Sequence, residues 1–116
     1  MTTKLDELRA RIIAFRDRRN WKQFHDLKNL SEAISIEAGE LLEVLLWKTV
    51  DDAKELTEAD LRRIREEVAD IFIFMTYLCH EAGFDLLESV EEKLAVNEEK
   101  YPVEKARGRS DKYSEL

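Results

Sequence analysis

The stretch IEAGELLEVLLW, residues 36–47, decides how this chain folds. Its apolar residues recur at helical spacing, which predicts an α-helix with an inward row that includes Ile34 and Leu41. Glu37 lies three residues after Ile34 and four before Leu41, so it stands in that row. Glu40 is flanked in the same way by apolar residues, because positions three and four apart share a helix face. The helix therefore directs carboxylates inward, where their charge needs compensation.

A second acidic pair opens the most apolar part of the chain. Glu67 and Asp70 lie in EEVADIFIF, residues 66–74, and Asp70 is the only charged residue from Val68 to Cys79. If the two helices pack as antiparallel neighbours, the four acids converge. Carboxylates that share a half-buried site repel one another and lose hydration, a cost that protons or cations can offset. Oxygen ligands suit Mg²⁺ or Mn²⁺ better than zinc, so the pattern predicts a site for such a cation.

Other interpretations of the acids are open at this point. Surface helices carry many glutamates, and the column could be a solvated face or a contact surface for a partner protein; Glu43, next to Gly39 and Trp47, is ambiguous. A di-iron bundle needs Glu-x-x-His on two helices. Here Lys22 precedes His25 by three residues and Tyr77 precedes His80, so that motif is absent.

The composition indicates a single all-α domain spanning residues 1–116. The chain has 116 residues, 44% of them hydrophobic, with three Gly and one Pro, too few turn residues for a chain of short strands. The apolar spacing predicts a bundle of four main helices, an extra short helix in the polar stretch after Trp47 and a polar tail. The predicted helices run from Leu5 to near Asn20, from near Asp26–Asn29 to about Trp47, from about Glu58 to Ala82 (stopped by Gly83), and from Asp85 to about Tyr101, and the tail covers about 103–116.

Charge and cysteine usage narrow the class of protein. The net charge of -7 opposes binding to a nucleic-acid polymer, which draws its affinity from Lys and Arg. The lone Cys79 excludes an internal disulfide and, with no apolar leader, predicts a cytoplasmic protein. The longest apolar run, 68–79, contains Asp70 and is shorter than the roughly 20 residues that span a bilayer. We therefore expect a buried helix there and no membrane partner.

The acidic pairs resemble a known signature. Glu37-x-x-Glu40 followed by Glu67-x-x-Asp70 matches the ExxE…ExxD pattern of the MazG-like all-α nucleoside triphosphate pyrophosphohydrolases. Four longer segments are similar to the dCTP pyrophosphatase branch of that group: RNWKQFH (19–25), EAGELLEVLLW (37–47), EEVADIFIF (66–74) and NEEKYPVEKARGRSDKY (97–113). Together the segments extend the resemblance over nearly the whole chain.

The resemblance implies an enzyme. Members of this group hydrolyse (deoxy)nucleoside triphosphates between the α and β phosphates, giving the monophosphate and pyrophosphate. They require Mg²⁺, for which Mn²⁺ is a candidate substitute, and a metal-activated water is the nucleophile. Carried over by position, the metal ligands and catalytic residues are Glu37, Glu40, Glu67 and Asp70. The family also pairs its subunits, which implies a homodimer or a dimer of dimers.

The resemblance also implies substrate contacts. Residues of the base pocket are Trp21, His25 and Trp47. Residues that bind phosphate are Lys93, Asn97, Lys100 and Tyr101, and the tail residues that close over a neighbouring site are Arg107, Lys112 and Tyr113. The basic side chains could instead form an ordinary solvated face, and Trp21 with Phe24 could simply staple the first helix to the second.

Two departures leave the preferred base open. The branch has a histidine where this chain has Ile12 and a tyrosine where it has Phe74. We predict housecleaning hydrolysis of dCTP-like or noncanonical nucleotides. The alternatives are a non-enzymatic acidic interaction module and an all-α phosphohydrolase for another diphosphate-containing substrate.

Overall fold

A computed structural model describes residues 1–49 and 56–116 and confirms the all-α prediction, since these residues form helices and turns without a strand. The α-helices are α1 (Lys4–Arg18), α2 (Leu27–Val44), α3 (Glu58–Ala82), α4 (Leu86–Lys100) and α5 (Val103–Ala106). Short 3₁₀ helices occupy Lys22–Phe24 and Tyr113–Glu115. The extra short helix predicted after Trp47 falls mainly on residues 50–55, outside the described residues.

Side-chain caps define where the long helices begin. Thr3 and Thr57 each accept a hydrogen bond from the backbone of an aspartate three residues later, and that aspartate accepts one in return. Asp26 and Asp85 cap α2 and α4 in the simpler way, by accepting from one backbone N–H. Each cap satisfies helix N–H groups that have no partner within the helix. The sequence itself indicates the capping box at Thr57, because Asp60 follows it by three residues, and the structure contains it.

Residues with positive φ follow the ends of α3 and α2. Gly83, at φ 79°, ends α3 in the left-handed region that glycine adopts without steric cost, as predicted. The predicted end of α2 at Trp47 is wrong by three residues, because the helix stops at Val44 and continues as a turn. Trp47 lies at φ 65°, a conformation that an α-helix cannot contain.

The end of α1 forms a compact turn around one carbonyl group. The Arg16 carbonyl oxygen accepts from the Trp21 N–H at 3.2 Å, and the Asp17 carbonyl accepts from Asn20 at 3.1 Å. Asn20 has φ 54°, and the Trp21 ring packs edge-on against Phe15 with centroids 5.7 Å apart. This is a Schellman motif with asparagine at the left-handed position and an aromatic contact across the turn. The turn fixes the position of Trp21 relative to the end of α1.

The chain divides into two compact units, Met1–Gly83 and Phe84–Leu116. In the first unit, α2 and α1 both pack against α3. Its core contains Ile12, Leu30 and Tyr77, with Ile13, Phe72, Ile73, Phe74 and Leu78 partly buried against them. Cys79, the last residue of the apolar run 68–79, is buried as well. In the second unit, Tyr113 of the tail packs edge-on against Tyr101 at 6.0 Å.

The apolar run at 68–79 is less buried than predicted. Thr76, Tyr77 and Cys79 are buried, but Val68 is 51% exposed and most of the run is only partly covered. The expectation of a buried helix is therefore correct for only part of this run, although α2 and α1 both pack against α3 among the described residues of its unit. None of the described helices combines the length and the apolar character that crossing a membrane requires.

Candidate functional site

Three of the four predicted acids meet at one place in the structure. Glu37 of α2 and Glu67 and Asp70 of α3 each offer a carboxylate oxygen, and these oxygens lie within 4.8 Å of one another. Glu67 and Asp70 project from the same face of α3 because they are three residues apart. The packing of α2 along α3 brings Glu37 to that face. We call Glu37, Glu67 and Asp70 the acid cluster.

Glu40 borders the acid cluster. It lies about one helical turn after Glu37, and its carboxylate interacts with that of Glu37 both by hydrogen bonding and by charge. Glu43, the ambiguous member of the column, is exposed. Asp70 is exposed too, which corrects the expectation that its apolar neighbours would enclose it. The acid cluster is thus half-buried at its glutamates and open to solvent at Asp70.

The crowding of the carboxylates changes their protonation. The pKa of Glu37 is raised from 4.5 to about 7. The main cause is a hydrogen bond with the Glu67 carboxyl group; burial comes second, followed by Glu40 and Asp70. Each of these effects disfavours the ionised form of Glu37. The acid cluster therefore retains a proton near neutral pH when no cation balances its charge.

Two buried oxygens show that the acid cluster fits a metal ion. Glu37 Oε2 and Glu67 Oε2 are both inaccessible to solvent, and neither has a hydrogen-bond partner in the described part of the chain. Buried polar atoms without partners cost free energy, so such atoms call for a ligand. Three converging carboxylates form an all-oxygen donor set, which suits Mg²⁺ or Mn²⁺. The residues present therefore fit a divalent cation of this type.

The predicted base-pocket residues lie in two connecting segments. Trp21 and His25 flank the 3₁₀ helix that follows α1, and Trp47 ends the turn that follows α2. Trp21 is 43% exposed and packs back on α1, which is not the staple to α2 that we considered. Trp47 is 91% exposed and has strained backbone geometry. A tryptophan held in this way outside any core is available for stacking on a ligand.

His25 occupies a more enclosed position. Its ring lies 4.7 Å from the ring of the buried Tyr77, at an interplanar angle of 42°. The pKa of His25 is lowered, first by burial and then by the Arg16 charge, while Glu81 acts in the opposite direction. The imidazole is therefore neutral at neutral pH, with one donor and one acceptor nitrogen.

Sequence reasoning missed a buried ion pair in the same unit. Arg16 is 1% exposed and donates from Nη1 to Glu81 Oε1 at 2.5 Å, with its guanidinium carbon 5.7 Å from the Tyr77 ring centroid. A signal was present, because Arg16 follows Ile12 by four residues and so continues the inward stripe of α1. The run RDRR in which it lies resembles an ordinary solvated helix end.

The predicted phosphate-binding residues all belong to residues 84–116. Lys93 is exposed, whereas Asn97 and Lys100 are half-buried, and the Asn97 carbonyl accepts from the Tyr101 N–H at 2.8 Å. Lys100 Nζ lies 4.6 Å from the centroid of the Tyr113 ring. Arg107 and Lys112 are exposed. The structure thus brings Lys100, Tyr101 and Tyr113 together, and phosphate binding by any of these residues stays a prediction.

Comparison with known proteins connects this geometry to a family. The model of the MazG-like family matches residues 33–116, a range that includes the acid cluster, Glu40 and Trp47. The chain is 34% identical to dCTP pyrophosphatase 1 of Rattus norvegicus, over 97% of this chain and 67% of that protein. It is 33% identical to dCTP pyrophosphatase 1 of Homo sapiens over the same shares of the two chains.

The chain also resembles a solved structure in its fold. The chain is similar to a pyrophosphatase from Archaeoglobus fulgidus, with a TM-score of 0.83 and 38% identity. The match covers 88% of this chain and 95% of the other. The likeness therefore extends over most of both molecules and is not confined to a local motif.

Proposed function

Because the chain belongs to the MazG-like family, we propose that it hydrolyses (deoxy)nucleoside triphosphates to the nucleoside monophosphate and pyrophosphate with Mg²⁺ as its cofactor. Its activity as a nucleoside triphosphate pyrophosphatase follows from its relatives, which are named as dCTP pyrophosphatases. The observation that carries the proposal is the acid cluster, with its two buried, unpartnered carboxylate oxygens. We further propose dCTP-like or noncanonical nucleotides as substrates and Mn²⁺ as a substitute cation.

Each member of the acidic group has a part in this proposal. Glu37, Glu67 and Asp70 would hold the cation, and Glu40 would complete the set or orient Glu37. A bound Mg²⁺ supplies positive charge for the triphosphate and activates a water molecule for attack. Because the pKa of Glu37 is raised to about 7, this carboxyl group must lose its proton before it can act as a ligand, so we expect cation binding near neutral pH to release a proton.

The nucleoside would lie against the aromatic residues. Trp21 and Trp47 are the proposed stacking partners of the base, and both have exposed ring surface. Neutral His25 would provide a hydrogen bond. Ile12, which replaces a histidine of the related branch, is buried in the core and cannot donate a side-chain hydrogen bond. Base selectivity must therefore depend on polar groups other than the side chain of residue 12, and dCTP is the first candidate substrate to test.

The triphosphate and the assembly complete the proposal. Cations and donors for the β and γ phosphates would come from Lys93, Asn97, Lys100, Tyr101, Arg107, Lys112 and Tyr113. We propose a homodimer or homotetramer, since large apolar side chains stay exposed on several helices, among them Leu42 at 70%, Val68 at 51% and Leu94 at 56%. The buried thiol of Cys79 suits the reducing cytoplasm, where we place the protein.

Product analysis tests the reaction. A panel of (d)NTPs is incubated with the enzyme and Mg²⁺ in ¹⁸O-labelled water, and the products are identified by mass spectrometry. A base held by Trp21 and Trp47 puts the α phosphate nearest the acid cluster, so we expect pyrophosphate and a monophosphate that carries the label. Formation of a diphosphate and orthophosphate would exclude the proposed cleavage. The acidic interaction module predicts no cation-dependent turnover of any nucleotide.

A further inference from the structure

A buried ion pair lies apart from the acid cluster. Arg16 is 1% exposed and donates to Glu81 at 2.5 Å and to Asp17 at 3.1 Å. Placing a charged guanidinium in a core costs hydration, and apolar replacements of buried ion pairs are often as stable as the pair. The pair is therefore better explained by the geometry that it imposes than by the stability that it adds.

Tyr77 connects this pair to the segment after α1. Its ring faces the Arg16 guanidinium at 5.7 Å, and its hydroxyl group donates to the Ile12 carbonyl oxygen at 3.3 Å. The His25 ring packs on the same tyrosine at 4.7 Å. Because Tyr77 is only 3% exposed, its ring has one fixed position. His25 is consequently located by a side chain that Arg16 and α1 hold in place.

The backbone of Arg16 holds the other end of the segment. Its carbonyl oxygen accepts the Trp21 N–H at 3.2 Å in the Schellman turn. Between these two ends, the 3₁₀ helix Lys22–Phe24 is closed by the His25 N–H, which donates to the Lys22 carbonyl at 3.0 Å. Residues 21–25 are thus attached at Trp21 to the Arg16 backbone and at His25 to Tyr77.

We propose that Arg16, Glu81 and Tyr77 are positioning residues that set Trp21 and His25 for the nucleobase and so determine nucleoside affinity and selectivity. None of the three needs to touch the nucleotide. The inference rests on the proposed function, because it takes Trp21 and His25 as the base-binding residues. It assigns a role in the reaction to a charge pair on α1 and α3 that lies outside the acidic motif.

The charges around His25 support this role. Arg16 from α1 lowers the pKa of His25, and Glu81 from α3 raises it, while the neighbouring Tyr77 contributes burial. A neutral imidazole has one donor and one acceptor nitrogen, and Nδ1 of His25 is buried without a partner in the described residues, so the ring can offer a base one hydrogen bond from its other nitrogen. The ion pair therefore influences both the position of His25 and its protonation.

Kinetics of two single variants test the proposal. Arg16→Met removes the charge but keeps an apolar stem, and Glu81→Gln keeps the shape while removing the opposite charge. We expect each variant to raise KM for the preferred nucleotide by about tenfold, with kcat changed less than about twofold. The ratio of kcat/KM for that nucleotide to kcat/KM for nucleotides with other bases should therefore fall. The matched control is Arg18→Met, because Arg18 is an exposed arginine on the same helix. A KM within about twofold of the native value in both variants would overturn the proposal.

A charge swap separates positioning from simple loss of stability. Arg16→Glu combined with Glu81→Arg restores the pair in the reverse direction, and we expect KM to return towards the native value. If the swap restores the melting temperature but not KM, or if all variants lose kcat in proportion to their folded fraction, the pair is only structural. Glu81→Gln keeps the test decisive should Arg16→Met fail to fold.

A titration without nucleotide distinguishes this inference from the proposed function. The pKa of His25 is followed by NMR in the native protein and in the variants. Arg16→Met should raise it and Glu81→Gln should lower it, since the two charges act on His25 in opposite directions. Shifts of the same sign would refute the network even in an active enzyme. If the expected opposite shifts occur but no nucleotide is hydrolysed, the proposed function fails instead, and with it the base-positioning role.

Discussion

Two charged groups in residues 1–83 are built in opposite ways. The acid cluster joins three carboxylates within 4.8 Å, and two of its buried oxygens have no hydrogen-bond partner in the described residues. Around Arg16, one buried guanidinium donates to the carboxylates of Glu81 and Asp17. The first group has an excess of like charge, whereas the second has charges of both signs in contact. Charge balance therefore separates a site that needs a ligand from a contact that is complete within the chain.

The difference has a physical basis. Like charges in a half-buried site raise the free energy of the folded chain, and binding of a proton or a cation lowers it again. Such a site therefore favours the binding of a positively charged ligand. A paired guanidinium has no such requirement, and its directional N–H groups fix the positions of its partners. The acid cluster should accordingly respond to metal and pH, and the Arg16 pair should respond to removal of either partner.

The largest effect is expected when the acid cluster loses a ligand. Glu67→Gln keeps the size of the side chain but removes its charge, so the cation loses a ligand oxygen of full charge. We expect kcat/KM to fall by about 10²–10³-fold at saturating Mg²⁺, measured as pyrophosphate release. The fold should persist without metal, because neutralising one of several repelling carboxylates relieves strain. The same substitution at the exposed Glu43 serves as the matched control, and equal activity of the two variants would remove Glu67 from the site.

Breaking the charge-balanced group should cost stability instead. Arg16→Ala leaves Glu81 partly buried without its cation, and it also removes the packing of the arginine stem. We expect the free energy of unfolding to fall by about 3 kcal/mol in urea titrations. Arg18→Ala, on the exposed face of α1, should change it by less than about 0.5 kcal/mol. If both variants lost the same small amount, the pair at Arg16 would be energetically equivalent to a surface contact.

The pH dependence of stability tests the crowding of the acid cluster. The pKa of Glu37 is raised from 4.5 to about 7, so its contribution favours the folded state below pH 4.5 and is lost as the pH rises through 7. Metal-free protein should therefore lose about 2 kcal/mol of stability from this residue between pH 5 and pH 8, a value reduced for solvent screening.

Comparison with a variant isolates that contribution. Glu37→Gln cannot titrate, so the difference in unfolding free energy between native and variant protein should change over this pH interval in the presence of a chelator. Adding Mg²⁺ at pH 8 should recover stability in the native protein, because the cation binds the ionised carboxylates of the folded state. A constant difference from pH 5 to pH 8 would contradict the crowding of the acid cluster.

The two groups were not equally visible in the sequence. The α3 part of the acid cluster follows from local rules, since Glu67 and Asp70 share a helix face and the cap at Thr57 and Gly83 define the ends of α3. The ion pair of Arg16 with Glu81 joins residues 65 positions apart, so local spacing places Arg16 on the inward stripe of α1 but does not identify Glu81 as its partner. Its burial depends on how α1 packs against α3. Local spacing thus predicts what one helix presents, and it misses what depends on the approach of two distant helices.

The same rule applies to the ends and exposed faces of the helices. The turn at Trp47 shortens α2 through a positive φ that no glycine or asparagine announced. The exposure of Val68 shows that an apolar run of twelve residues does not establish burial by itself. Burial of that face by a second subunit would depend on oligomer assembly, which the spacing of apolar residues in one chain does not specify.

The smallest effect concerns Trp47, which belongs to neither charged group and tests whether the acid cluster acts alone on the nucleotide. At 91% exposure its ring contributes little to the core, so Trp47→Ala should change the free energy of unfolding by less than about 0.5 kcal/mol. Nucleotide binding should weaken by about 1–2 kcal/mol, the range expected for loss of one stacked base. Fluorescence titration with a hydrolysable nucleotide in Ca²⁺ and kinetics in Mg²⁺ both measure this loss, with Trp47→Phe as the control that keeps an aromatic face.

If Trp47→Ala binds nucleotide as tightly as the native protein, base recognition must reside in the segment that Arg16 and Tyr77 hold. That outcome would increase the selectivity effect expected from Arg16→Met.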